Sequence, residues 1–147
     1  MIIGFTGTRS GMSAVQTTKF WFELGKIMGT KGLKEPFVFI HGGCIGADID
    51  FHKAALKLKA KYGMNITIEV YPGHSTHNPE NMSHRGDYSE ADIVHESQSH
   101  FKRNRDIVNR SDIMFATPYH TGNAGGTWYT IHYAEKVGKK TKVIKTL

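Results

Sequence analysis

Three times in this sequence an apolar run passes through glycines into a segment with helical spacing. The three are Gly4-Phe5-Thr6-Gly7-Thr8-Arg9, His41-Gly42-Gly43-Cys44-Ile45-Gly46-Ala47-Asp48 and Gly122-Asn123-Ala124-Gly125-Gly126-Thr127-Trp128. This alternation constrains the fold more than any other feature. Strands that alternate with helices build a mainly parallel sheet with helices packed on its faces. Each turn also leaves free backbone N–H groups at the positive end of the following helix, where phosphate or another anion is favoured. One such turn is a weak signal. Three in one small chain suggest strand ends that converge on a nucleotide-sized anionic ligand.

The rest of the pattern is consistent with this. Residues 2 to 6 read as an apolar strand. Residues 14 to 28 carry Phe20, Trp21, Leu24 and Met28 on one helical stripe, opened by a Ser13/Gln16 capping box and ended by Gly29 and Gly32. Pro36 opens a second strand over 37 to 40, whose unbroken apolar character suits a sheet covered on both faces. A helix over 47 to 61, stopped by Gly63, and a third strand over 66 to 71 follow. A helix over 98 to 110, a strand over 113 to 116, a helix over 127 to 137 and a last strand over 141 to 144 complete the alternation. Residues 72 to 97 differ: they are polar, rich in His, Asn, Ser and Asp, and have no strong period. They are expected as a long lid or binding loop. The fold class expected is α/β, a single Rossmann-like three-layer sandwich over 1–147 with a mainly parallel, roughly five-stranded sheet. Its ligand belongs beyond the C-terminal strand ends, at the switch point.

A formal charge of +6 and a pI near 9.4 suit an anionic ligand and also nucleic acid. The lysines, including Lys136, Lys139, Lys140, Lys142 and Lys145, are scattered and read as a solvated face. A single cysteine, Cys44, excludes an intrachain disulfide. No apolar run approaches membrane-spanning length, and residues 1 to 5 are too short for a signal peptide. A cytoplasmic protein without a membrane partner is expected.

The turns carry the candidate ligand-binding residues. Gly7, Thr8 and Arg9 end the first strand, where a hydroxyl and a guanidinium fork can hold phosphate oxygens. Gly42, Gly43 and Gly46 let the backbone approach a ligand closely, with Ala47 and Asp48 in the helical turn that follows. Asp48 can stabilise the helix end, accept ribose hydroxyls or orient a water. Arg103, Asn104 and Arg105 are successive helical residues, each turned by about 100° from the last, so some reach a site while others face water. Gly125, Gly126 and Thr127 can clasp a phosphate. Cys44 reads as a packed residue without a histidine-based dyad, and Trp128 as a core residue or the wall of a base pocket.

Neither G-x-x-x-x-G-K-[ST] nor G-x-G-x-x-G occurs, which excludes an ordinary P-loop and a standard NAD-binding domain. Nine histidines invite a metal reading, but His95 and His100 are five apart rather than four and do not share a helical face. No metal and no cofactor are expected.

Together, Gly4 to Arg9, Gly11-Met12-Ser13 with Gln16, and His41 to Asp48 with His52 resemble the SLOG superfamily, nearest to its YspA and YpsA-related Rossmann-like branch. Arg103-Asn104-Arg105 with Ile107-Val108, Asp112, Ala116-Thr117-Pro118, Gly126-Thr127-Trp128 and Tyr133-Ala134 continue the likeness, which spans nearly all of the chain except 73–97. It implies a nucleotide or nucleotide-derived ligand at the glycine turns and adds Thr117 to the candidates. Subunit pairing is common among such relatives, so a homo-oligomer is possible. The superfamily includes cytokinin-activating phosphoribohydrolases, whose P-G-G-x-G-T-x-x-E pattern carries a catalytic glutamate. Here Gly126-Thr127 match its G-T pair, but the glutamate position falls on Thr130, and the prolyl and first glycyl positions on Gly122 and Asn123. Any hydrolysis would need another group, with Asp48, Glu96 and Arg105 as the catalytic candidates.

Three functions stay open at this point. The first is a sensor or sequestering module for a nucleotide-type ligand. The second is cleavage of an N-glycosidic bond in a nucleoside monophosphate, with a carboxylate stabilising the oxocarbenium ion or activating water. The third is single-stranded nucleic-acid binding through the basic balance and Tyr119, Trp128, Tyr129 and Tyr133.

Overall fold

The structure is a computed structural model that describes residues 1–119 and 125–146. In chain order it contains β1 (Ile2–Gly7), α1 (Ala14–Lys31), β2 (Phe37–His41), α2 (Ala47–Tyr62), β3 (Ile66–Val70), β4 (Gly73–His74), β5 (Ile93–Val94), β6 (Gln98–Ser99), α3 (His100–Arg110), β7 (Ile113–Thr117), α4 (Gly126–Lys136) and β8 (Thr141–Val143). Six strands form one parallel sheet in the order β5-β3-β2-β1-β7-β8.

The period of two along each strand divides the core into two layers. Ile3, Phe5, Phe37, Phe39, Ile113 and Phe115 face α1 and α2, meeting Phe20, Leu24, Phe51 and Leu58. The alternate residues Ile40 and Met114 face α3 and α4, meeting Ile107, Val108 and Ala134. Phe51 stacks between Phe5 and Phe39, with ring centroids 4.6 and 5.0 Å away. Burial of these rings is the main stabilising term. The chain thus winds outward from β1 through β2 to β3 with helices on one face. It returns through β7 to β8 with helices on the other. The order reverses between β1 and β7, which makes the C-terminal ends of these two strands the switch point.

The Ser13/Gln16 capping box forms in both directions, at 3.0 Å each way. Gln16 does more than cap: its buried amide donates to the carbonyls of Pro118 and Ile144, at 2.8 and 2.9 Å. That ties the start of α1 to the ends of β7 and β8. The helix runs past Gly29, where a side chain would meet only open space, and stops at Gly32 with φ of 93°. Gly32 N–H closes the helix on the Met28 carbonyl at 2.9 Å, and an exposed glycine inside the helix costs only about 1 kcal/mol.

The sheet has six strands where roughly five were expected, and the segment over 72–97, expected as a long lid or binding loop, carries short strands. Its residues 93–94 pair with Glu69 and Val70 to add β5 at the sheet edge, while β4 and β6 form a small parallel ladder of their own. Backbone pairing with β3 does not need the apolar period that marks a buried strand. Ile93 and Val94 remain exposed.

Among the described residues, no helix is long and apolar enough to cross a membrane.

Candidate functional site

The glycine turns after β1 and β2 interlock. Thr8 N–H donates to the Thr117 carbonyl at 3.1 Å, and the Thr8 carbonyl accepts from Ala47 N–H at 2.9 Å. Gly46, at φ 88°, makes this possible: a Cβ there would lie 2.2 Å from the Arg9 carbonyl oxygen. The turns after β1 and β2, residues 125–128 at the start of α4, and α3 surround a cavity of about 360 Å³ at the switch point, within the size range of small-ligand sites.

Ten of the sequence candidates line this cavity: Gly7, Thr8, Arg9, Gly42, Asp48, Arg103, Asn104, Gly125, Gly126 and Thr127. The remaining candidates lie elsewhere. Gly43 packs under Tyr88 and Val70, Gly46 packs on Arg9, and Ala47 puts its methyl against Gly7. Thr117 is fully buried at the end of β7, close to Gly7, and its hydroxyl has no partner. These four serve the packing of the turns instead of the cavity wall. Arg105 points to α4, where Nη1 donates to the Tyr129 hydroxyl at 2.8 Å. Glu96 is exposed between β5 and β6, away from the cavity. Gly122, Asn123 and Ala124 lie outside the described residues.

Arg103 is the keystone of the floor. It is 5% exposed. Its Nε donates to Asn104 Oδ1 at 2.7 Å, and Nη1 to the carbonyls of Gly42 and Tyr71 at 2.7 and 2.9 Å. Nη2 reaches Cys44 Sγ at 3.5 Å and His100 Nδ1 at 3.2 Å. All five donors of the guanidinium are taken, so Arg103 contributes charge and rigidity but has no N–H left for a ligand. Gly42 must lack a side chain because a Cβ there would sit 2.4 Å from Nη1.

Arg9 is the opposite case. It is exposed, lines the cavity, and its guanidinium has no partner among the described residues. Across from it, α4 begins at Gly125 and Gly126 with no side-chain cap and no acidic residue in its first turn. Among the described residues, nothing compensates the positive end formed by its first N–H groups. By contrast, α2 carries Asp48 and Asp50 in its first turn. Asp50 is a surface residue that accepts Met12 N–H at 2.9 Å.

Among the described residues, Asp48 is the one carboxylate on the cavity wall, and it accepts Cys44 N–H at 3.1 Å. Burial pushes its pKa up to about 6, opposed by the Arg103 charge and the turn's N–H groups. Burial, then the charge of Asp48, raises the Cys44 thiol, so it stays protonated and unreactive at neutral pH.

Sequence reasoning missed His100 and undervalued Tyr119 and Trp128, all of which line the cavity. Trp128 Nε1 is buried without an acceptor. Nothing local in the sequence signals these roles except position beside a turn or beside Arg103. Thr130 turns into the core and donates to the Gly126 carbonyl at 2.9 Å.

A solved structure shares this architecture. The X-ray structure of TM1055, a structural genomics target, aligns with a TM-score of 0.57 at 17% identity, covering 95% of this chain and 71% of that one. At that identity the likeness shows the fold alone. No protein family matches the chain, and no curated protein matches it.

Outside the His84–His100 pair, several histidines have partners of their own. His95 meets Glu69 at 2.8 Å, His74 meets Ser97 at 2.8 Å, and His41 meets His52 at 2.9 Å. Among the described residues, no group of three or more His, Cys, Asp or Glu is arranged to hold a metal ion.

Proposed function

We propose that this chain binds a nucleotide or nucleotide-derived ligand in the switch-point cavity, as a sensor or sequestering module. One arrangement carries the reading: the unpartnered Arg9 guanidinium and the uncapped start of α4 border the same cavity. That pairing of a cation with free backbone N–H groups suits a phosphate. Tyr119 and Trp128 on the wall supply flat apolar surface for a base. The resemblance to the SLOG superfamily points to the same ligand class. Calorimetric titration with nucleoside mono-, di- and cyclic phosphates tests the proposal. Micromolar to millimolar binding to at least one is expected, and a folded protein that binds none overturns it.

A second reading is N-glycosidic hydrolysis of a nucleoside monophosphate. Asp48, on the cavity wall with a pKa near 6, has the protonation properties of an acid–base group at neutral pH. Release of free base, followed by chromatography, tests it; intact nucleotide after long incubation removes it. Nucleic-acid binding is less well supported. The hydroxyls of Tyr129 and Tyr133 are bonded to Arg105 and Asn109 on α3, and Tyr119 and Trp128 line the cavity, so the four aromatics do not point to an extended strand more than to a single base.

A further inference from the structure

We infer that His100 is the neutral hydrogen-bond donor that reads the phosphate of the ligand in this cavity, with its proton confined to Nε2 by Arg103. The inference rests on the nucleotide reading and deepens it: it names the residue that separates a nucleotide from the corresponding nucleoside.

The tautomer follows from donor and acceptor chemistry. An arginine side chain carries only donors, and Arg103 Nη2 lies 3.2 Å from His100 Nδ1. Nδ1 must therefore offer its lone pair, and the ring proton sits on Nε2. Arg103 cannot turn away, because its remaining N–H groups are bound to Asn104, Gly42, Tyr71 and Cys44. The Nδ1 edge is also pinned from behind, since a Cβ on Gly73 would lie 2.6 Å from it.

The ring also stays neutral. A second proton would place N–H against N–H at Arg103 and break that bond. His100 opens α3, where the helix dipole disfavours a cation. Partial burial, then the charges of Arg103, His84 and Arg9, hold its pKa down to about 4. Its neighbour His84 packs edge to face at 4.7 Å and donates Nε2–H to the Gly73 carbonyl, so it neither donates to His100 nor competes for the ligand through that atom.

What remains is Nε2–H, which has no partner among the described residues, on a ring that lines the cavity. A neutral N–H is matched by a group that only accepts. A phosphate oxygen does so, whereas a ligand ammonium or amide N–H would face it unfavourably. Arg9 and the α4 terminus supply the charge, and His100 supplies direction.

The test uses the full chain. Long-range ¹H–¹⁵N NMR at pH 7 reads the His100 tautomer, expected as Nε2–H, and the Nε2 signal shifts on addition of a nucleoside 5′-monophosphate. Calorimetry then compares the parent, His100→Ala and His100→Gln against nucleoside monophosphates, the matching nucleosides and inorganic phosphate. His100→Ala is expected to weaken nucleoside monophosphate binding about tenfold, leave nucleoside binding unchanged, and be partly rescued by the amide N–H of His100→Gln. Inorganic phosphate binding as tightly as the nucleotide would assign the site to the free anion and overturn the nucleotide part. A proton on Nδ1, or unchanged nucleotide affinity in His100→Ala with a parent that binds, overturns this inference alone. A parent that binds no nucleotide overturns the proposed function and this inference with it.

Discussion

Arg103 Nη1 donates to the carbonyl of Gly42 at 2.7 Å, across a sequence separation of 61 residues. This bond joins the first turns of α3 to the glycine turn after β2 and sets the floor of the cavity. Its consequence is a division of labour between two arginines, one saturated and one free.

Replacing Arg103 should unfold the floor. Arg103→Ala leaves the Gly42 and Tyr71 carbonyls without this donor and empties a buried volume, so a loss of about 3 kcal/mol is expected. Arg103→Lys should recover little of it, because an ammonium cannot fill a planar five-donor set. Chemical denaturation of the two variants beside the parent measures both.

Replacing Arg9 should do the reverse. The side chain is exposed and unpartnered, so Arg9→Ala should change stability by less than about 0.5 kcal/mol. The same change should weaken binding of a nucleoside monophosphate about tenfold or more. Titration calorimetry and thermal unfolding on one preparation read the two effects. An Arg9→Ala protein that binds as tightly as the parent would remove Arg9 from the site.

Gly46→Ala couples the two turns to both properties. The position has φ of 88° and no room beside the Arg9 carbonyl. A destabilisation of about 1–3 kcal/mol is expected, together with weaker ligand binding as the turn carrying Arg9 is displaced. Thermal unfolding and the same titration are the measurements.

Asp48 should show itself in the pH dependence of stability. Its folded pKa of about 6 lies above the ordinary carboxylate value, so the folded state holds a proton that the unfolded chain has released between about pH 4 and pH 6. This contribution to stability is present at low pH and lost as pH rises through about 6, a cost of roughly 3 kcal/mol at neutrality. Asp48→Asn should therefore gain on the parent as pH rises from 4 to 7. Buried His41 and His84 and the depressed His100 act with the opposite sign: their folded pKa values are lowered, so stability falls as pH drops below the unfolded imidazole value. Asp48→Asn should thus lose stability more steeply than the parent on acidification. Denaturant midpoints at several pH values decide it, and parallel profiles would contradict the assignment.

Much of the frame was legible because it is local. The stripe of Phe20, Leu24 and Met28, the apolar runs of β2 and β7, and the capping pair Ser13 and Gln16 are all written at short spacings. The edge strand at Ile93 and Val94 was not, since a two-residue strand is held by backbone pairing with β3 and leaves no side-chain period. Asp48 was visible as a candidate but its raised pKa was not, because that shift comes from burial.

By itself, then, the order of residues determined that this chain alternates strands with helices and that its glycines fall at strand ends. Periods of two and 3.6 residues and the special freedom of glycine act within a few residues of one another. Only tertiary structure decided that β1 lies between β2 and β7, which turns three separate bends into one cavity. Only packing chose Arg103 to face inward, Arg105 to face α4 and His100 to offer a single N–H. Those choices depend on which distant groups satisfy buried donors and acceptors, and no local period records that.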